Sequence, residues 1–122
     1  MTVEQRVYPR IDSEWPLFLD REDARMRIGQ VKDISLSGVH LMFTEGYQLK
    51  EDRSVVTVKL INTRITPSEL TISGLREWKV VKQNEVQIGI VLNDLDRETK
   101  SKLVRFLSRS EKLHVEAILL ET

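Results

Sequence analysis

Leu70-Thr71-Ile72-Ser73-Gly74-Leu75-Arg76-Glu77-Trp78-Lys79-Val80 and Val86-Gln87-Ile88-Gly89-Ile90-Val91-Leu92 flank the short connector Lys82-Gln83-Asn84-Glu85. In the first run Leu70, Ile72, Gly74, Arg76, Trp78 and Val80 share one parity. In the second, Val86, Ile88, Ile90 and Leu92 share one parity. A period of two is the repeat of a strand with one face turned to a core. The connector has the length and polar composition of a hairpin. Two antiparallel strands therefore occupy this stretch, and the fold is built on β-structure.

The same alternation continues upstream. Val56, Val58 and Leu60 alternate with Val55, Thr57 and Lys59 to give another strand. Val39, Leu41 and Phe43 alternate with His40, Met42 and Thr44, so a strand begins just after Gly38. Met26 to Lys32 reads as a strand with Gly29 as a bulge or close-approach point. Trp15 to Leu19 reads as a first strand, with Pro16 marking an edge or an irregular start. Residues 1–13 show little periodicity, contain Pro9, and read as a flexible arm.

Downstream the period changes. Leu95, Leu103, Phe106 and Leu107 fall on one helical face, with Asp94 or Asp96 as cap. Arg105 and Arg109 stand near the helix end, where its dipole favours cations. Leu113, Ala117 and Leu120 form a stripe through residues 111–121 that reads as a second helix. The expectation is a mainly β fold: a six-stranded antiparallel β-barrel with a C-terminal helix or helices. One domain of 122 residues would comprise an arm over 1–13, a barrel over 14–93 and a helical region over 94–122. Closing the sheet would remove exposed strand edges.

Nineteen basic residues balance nineteen acidic ones, so bulk charge gives no reason to expect nucleic acid or an anionic membrane as partner. Any anion site must be local. The longest apolar runs are a few residues, such as Ala117 to Leu120, too short for membrane insertion. Met1 to Arg6 lacks the apolar stretch of a signal peptide, so the expected location is cytoplasmic. There is no cysteine, which excludes disulfides, thiolate metal sites and cysteine nucleophiles.

Catalytic signals are sparse. His40 and His114 are the only histidines, and neither has a metal-ligand spacing. No phosphate loop of the Walker type and no Gly-x-Gly-x-x-Gly occurs. The chain reads as a binding module, with no enzymatic activity, no metal and no cofactor.

The binding signal is a constellation. Arg-x-x-x-Arg occurs three times, as Arg6/Arg10, Arg21/Arg25 and Arg105/Arg109. Only the first lies on the arm, with two strands between it and Asp33. Asp33-Ile34-Ser35-Leu36-Ser37-Gly38 then joins two strands. Its plain reading is a turn, because Asp, Ser and Gly are turn residues. Its functional reading follows from donor and acceptor chemistry. An arginine fork grips guanine O6 and N7, or a phosphate, bidentately. A carboxylate accepts from guanine N1–H and N2–H, a serine hydroxyl donates to a phosphate, and a glycine lets backbone come close.

With these residues the chain resembles the PilZ domain family, bacterial receptor modules for the second messenger cyclic diguanylate (cyclic di-GMP). The family's Arg-x-x-x-Arg matches Arg6/Arg10, and its Asp-x-Ser-x-x-Gly matches Asp33/Ser35/Gly38. Val86 to Leu92 is similar to the family's closing strand, and Leu103 to Leu107 to its terminal helix. The resemblance implies a split barrel of six strands with ligand on its outer surface. Arg6 and Arg10 would wrap the ligand from the arm; Asp33 and Ser35 would contact guanine and phosphate; Gly38 would shape the turn. Trp78 matches a ligand-proximal tryptophan of similar single-domain members, yet its parity is that of Leu70 and Ile72, which leaves it between ligand contact and core. Gln5 stands where members that bind a stacked ligand pair carry an arginine. The resemblance further implies that ligand orders the arm and that a downstream protein reads the change.

Overall fold

The computed structural model describes residues 11–44, 54–64, 69–83, 85–92, 95–108 and 114–120. Its strands are β1 (Ile11–Arg21), β2 (Ala24–Ile34), β3 (Gly38–Phe43), β4 (Val55–Asn62), β5 (Glu69–Lys82), β6 (Glu85–Val91) and β7 (Val115–Leu120), with one helix, α1 (Arg97–Ser108), before β7. They form a closed barrel in the order β1-β2-β3-β6-β5-β4-β7. All neighbours are antiparallel except β1 and β7, which pair in parallel through Leu17↔Ala117 and Phe18↔Ile118.

The barrel class and the hairpin over 70–92 follow the sequence, but the barrel has seven strands, not six. The difference is β7, which lies in the stretch expected to be a second helix. Val115, Ala117 and Leu119 turn inward and are buried, and Ile118 between them is buried as well. Glu116 and Leu120, on the other face with Ile118, are only half-buried, so the segment carries a strand's alternation blurred by one buried outward residue. Without β7 the edges of β1 and β4 would stay open; it pairs with both. Satisfying two rows of backbone donors and acceptors outweighs what a short surface helix would gain. A second difference is that β1 begins at Ile11, inside the segment expected to be arm.

The core takes one layer of side chains from around the wall: Leu17, Val31, Leu41, Leu60, Ile88 and Ala117 are all fully buried. Each of the leucine, valine and isoleucine side chains contributes roughly 1.5–3 kcal/mol on burial. Helix α1 begins at a cap made by Asp96, whose Oδ1 accepts from the Thr99 amide at 2.7 Å. It packs against β5 and buries Leu103 completely. Among the described residues no helix is long and apolar enough to cross a membrane.

Two β-bulges decide which side chains face outward. In β2, Val31 stands opposite Leu41 while Asp33 stands opposite His40, so Lys32 is an extra residue in the ladder. In β5, Arg76 stands opposite Ile90 while Trp78 stands opposite Gly89, so Glu77 is extra. An added residue inverts the in–out parity beyond it. Asp33 and Trp78 consequently share the outer face. The shared parity of Trp78 with Leu70 and Ile72 does not survive the bulge: those two are buried, and Trp78 is 40% exposed.

Candidate ligand-binding site

The bulges assemble a row across four strands. Asp33 on β2 stands opposite His40 on β3, His40 opposite Gly89 on β6, and Gly89 opposite Trp78 on β5. Three interstrand steps of about 4.8 Å make this row about 14 Å long. Strand β1 enters beside it, because Asp12 pairs with Asp33 and Ile11 with Ile34. The Lys32 bulge is supported from β1, where Ser13 Oγ donates to the Val31 carbonyl at 2.7 Å. Glu14, next to it, adopts a left-handed φ of 47° where β1 shifts register against β2.

Gly89 makes the row continuous. A Cβ there would lie 2.1 Å from Trp78 Nε1 and 2.3 Å from Cε2, so the indole rests on the bare backbone of β6. The His40 and Trp78 rings meet edge to face, with centroids 5.1 Å apart and planes at 68°. On its other side His40 meets Asp33, with Nδ1 3.3 Å from Oδ2. Its Nε2 lies 2.8 Å from Gln87 Oε1. Carboxylate, imidazole and indole thus form one surface, with a charged acceptor at one end and a partly exposed aromatic face at the other.

The turn after β2 is rigid. The Ser35 amide donates to the Gly38 carbonyl at 2.9 Å, and the Leu92 amide donates to the Ser37 carbonyl at 3.0 Å, which ties the turn to the end of β6. Ser35 is buried; its Oγ accepts from the Ser37 amide and shares a 3.2 Å hydrogen bond with Ser37 Oγ. Its hydroxyl therefore serves the turn, and the exposed hydroxyl beside it belongs to Ser37. A Cβ at Gly38 would meet the Ile90 carbonyl oxygen at 3.1 Å, a tight contact that a small backbone shift would have to relieve.

Of the residues singled out in the sequence, Asp33, Ser35, Gly38 and Trp78 stand at or beside this surface. Arg6 and Arg10 lie outside the described residues. His40 and Gln87 were not singled out for binding. The signal for His40 was its parity, opposite to that of buried Val39 and Leu41, one pleat from the turn. Nothing in the chain order pointed to Gln87, which reaches His40 only through the β3–β6 pairing.

Fold and surface define a small β-barrel domain whose polar and aromatic outer face adjoins its N-terminal strand. A family description, PilZ domain, matches residues 4–109, and the chain belongs to that family. No curated protein and no solved structure matches it.

Proposed function

We propose that this chain is a receptor for cyclic diguanylate, binding it on the outer face between the Asp33 turn and Trp78. The carrying observation is the bulge-built row Asp33–His40–Gly89–Trp78, with β1 entering beside its acidic end. Arg10 directly precedes Ile11 in the chain, and the backbone of Ile11 stands opposite Ile34, next to the turn. Asp33 supplies the acceptor for a guanine Watson–Crick edge, Arg6 and Arg10 supply forks for phosphate and guanine, and Trp78 supplies a stacking face. Gly38 and Ser35 hold the turn, with the Ser37 hydroxyl at its surface.

In this reading the protein changes no bond in its ligand. Binding draws residues 1–10 onto the barrel, and the combined surface of arm and nucleotide recruits a downstream protein in the cytoplasm. Ordering the arm consumes part of the interaction energy, as in any coupled folding and binding.

Calorimetric titration tests the reading. Removing one charge-assisted contact by Arg6→Ala or Arg10→Ala should cost roughly 2–3 kcal/mol, about 30- to 150-fold in affinity. Melting of the ligand-free domain should stay the same, because the described core is assembled from other residues. Equal affinity in wild type and both variants would remove the arm from the mechanism. No binding heat at saturating dose would leave the domain as a protein-interaction scaffold.

A further inference from the structure

Nothing in the ligand reading gives His40 a task, yet its ring stands at the centre of the row, touching both the Asp33 carboxylate and the Trp78 indole. Both ring nitrogens face acceptor oxygens, Asp33 Oδ2 at 3.3 Å and Gln87 Oε1 at 2.8 Å. A neutral imidazole has one N–H and one lone pair, so it satisfies only one of these acceptors; an imidazolium donates to both. Gln87 is held in that orientation from behind, where its Nε2 donates to Glu85 Oε1 at 3.4 Å. Loss of one ring proton either leaves a bare Nδ1 against the Asp33 carboxylate or, in the other tautomer, needs the Gln87 amide to turn over and give up Glu85.

We infer that His40 is a positioning residue of the ligand site, which fixes Asp33 and steadies Trp78 most firmly when its ring is doubly protonated, so that nucleotide binding takes up a proton. The inference rests on the cyclic diguanylate reading of this surface. It also names a control on the site that none of the motif residues supplies.

Among the described residues, these groups face the ring. From β2 comes the Asp33 carboxylate; from β6 the Gln87 amide and, beyond it, Glu85; from β5 the uncharged Trp78 indole. Lys82 stands opposite Glu85, and Lys79 stands opposite Ile88, one pleat away from the outward pair Val80↔Gln87. Both the ring and Asp33 are mostly shielded, with side chains 20% and 14% exposed, so their interaction is less screened than a surface pair. A carboxylate has lone pairs for the imidazolium and for the donor edge of a guanine together. The ring's positive charge also favours a ligand that carries two phosphates.

The sign follows from linkage. If nucleotide binds the protonated form better, the bound protein holds that proton more tightly. The gain in affinity is then complete below the titration midpoint of the free protein and gone above that of the complex.

The test is calorimetric titration of the full chain with cyclic diguanylate from pH 5.5 to 8.5 at fixed ionic strength. Wild type should gain about tenfold in affinity from the alkaline to the acid end, less than a whole charge-assisted contact because the neutral ring keeps one of its two hydrogen bonds. His40→Gln should bind more weakly at the acid end and show no such slope. A second measurement needs no variant: imidazole resonances of His40, followed by NMR, should titrate at higher pH with saturating ligand than without. His114, bonded to Arg64 rather than to any residue of the row, should titrate alike in both states. Wild-type binding that is flat with pH, an equal slope in His40→Gln, or His40 curves that coincide with and without ligand would each overturn the inference while leaving the ligand reading intact. Absence of binding at every pH would overturn the ligand reading and this inference with it.

Discussion

Gly89→Ala is the smallest change that reports on the whole outer row. Its methyl group would sit 2.1 Å from Trp78 Nε1, and ordinary contact begins at 3.4 Å, so the indole must retreat by about 1.3 Å. The β6 backbone cannot give way instead, because Gly89 is paired on both sides, with His40 and with Trp78. Trp78 is 40% exposed. A buried aromatic side chain hides roughly 150–250 Å², so Trp78 hides about 120 Å², worth at most about 3 kcal/mol. Lifting the ring forfeits part of that, together with an edge-to-face contact to His40 of about 0.5–1.5 kcal/mol. The expected loss is about 1–2 kcal/mol, which lowers the melting temperature by about 4–8 °C in a domain of this size. Fluorescence gives a local readout. Trp15 is buried in the core, so in a Trp15→Phe background the emission belongs to Trp78 alone. Gly89→Ala should shift that emission to the red and raise its quenching by iodide. Unchanged emission, unchanged quenching and a melting temperature within 1 °C of the parent would show that the indole does not rest on Gly89, and the continuous row would be refuted.

Other outcomes follow from the same structure. Truncation after Ser110 removes β7 and opens the β1 and β4 edges, so the amide NMR spectrum should collapse to that of an unfolded chain; a well-dispersed spectrum would mean that the C-terminal segment is an appendage. Leu119→Ala, at a buried β7 position, should cost about 2–5 kcal/mol by denaturant unfolding, whereas Lys59→Ala on the adjacent strand should change little. Asp96 is held below the usual carboxylate range because the Thr99 backbone amide donates to it. A depressed carboxylate stabilises above its unfolded value of 3.8 and loses that effect as pH falls through the folded value. The first turn of α1 should therefore fray in acid, read as faster exchange of the Thr99 amide than in an Asp96→Asn comparison normalised for intrinsic rate.

Alternation alone reveals the inward positions of β3, β4 and β6, and the cap at Asp96 is legible because its contact is local. The Asp33-to-Gly38 turn is legible for the same reason: its hydrogen bonds close within four residues, apart from the tie to Leu92. Trp78 shows where local reading ends. Its parity along β5 matched Leu70 and Ile72, but a bulge is defined against a partner strand, and the extra residue at Glu77 exists only relative to β6. The His40–Asp33–Gln87 contacts depend on pairing between strands up to 47 residues apart.

The C-terminal segment draws the same line. Leu113, Ala117 and Leu120 fit a helix, and Val115, Ala117 and Leu119 fit a strand, so periodicity within the segment could not choose. The choice lay with β1 and β4, whose free edges offer backbone partners on both sides of whatever lies between them. What the amino-acid order determined by itself were short-range matters: which residues alternate, where the chain turns, and which groups share a turn. The closure of the barrel and the outward aim of Asp33 and Trp78 were decided by tertiary structure, because strand register is a property of two segments and is written in neither alone.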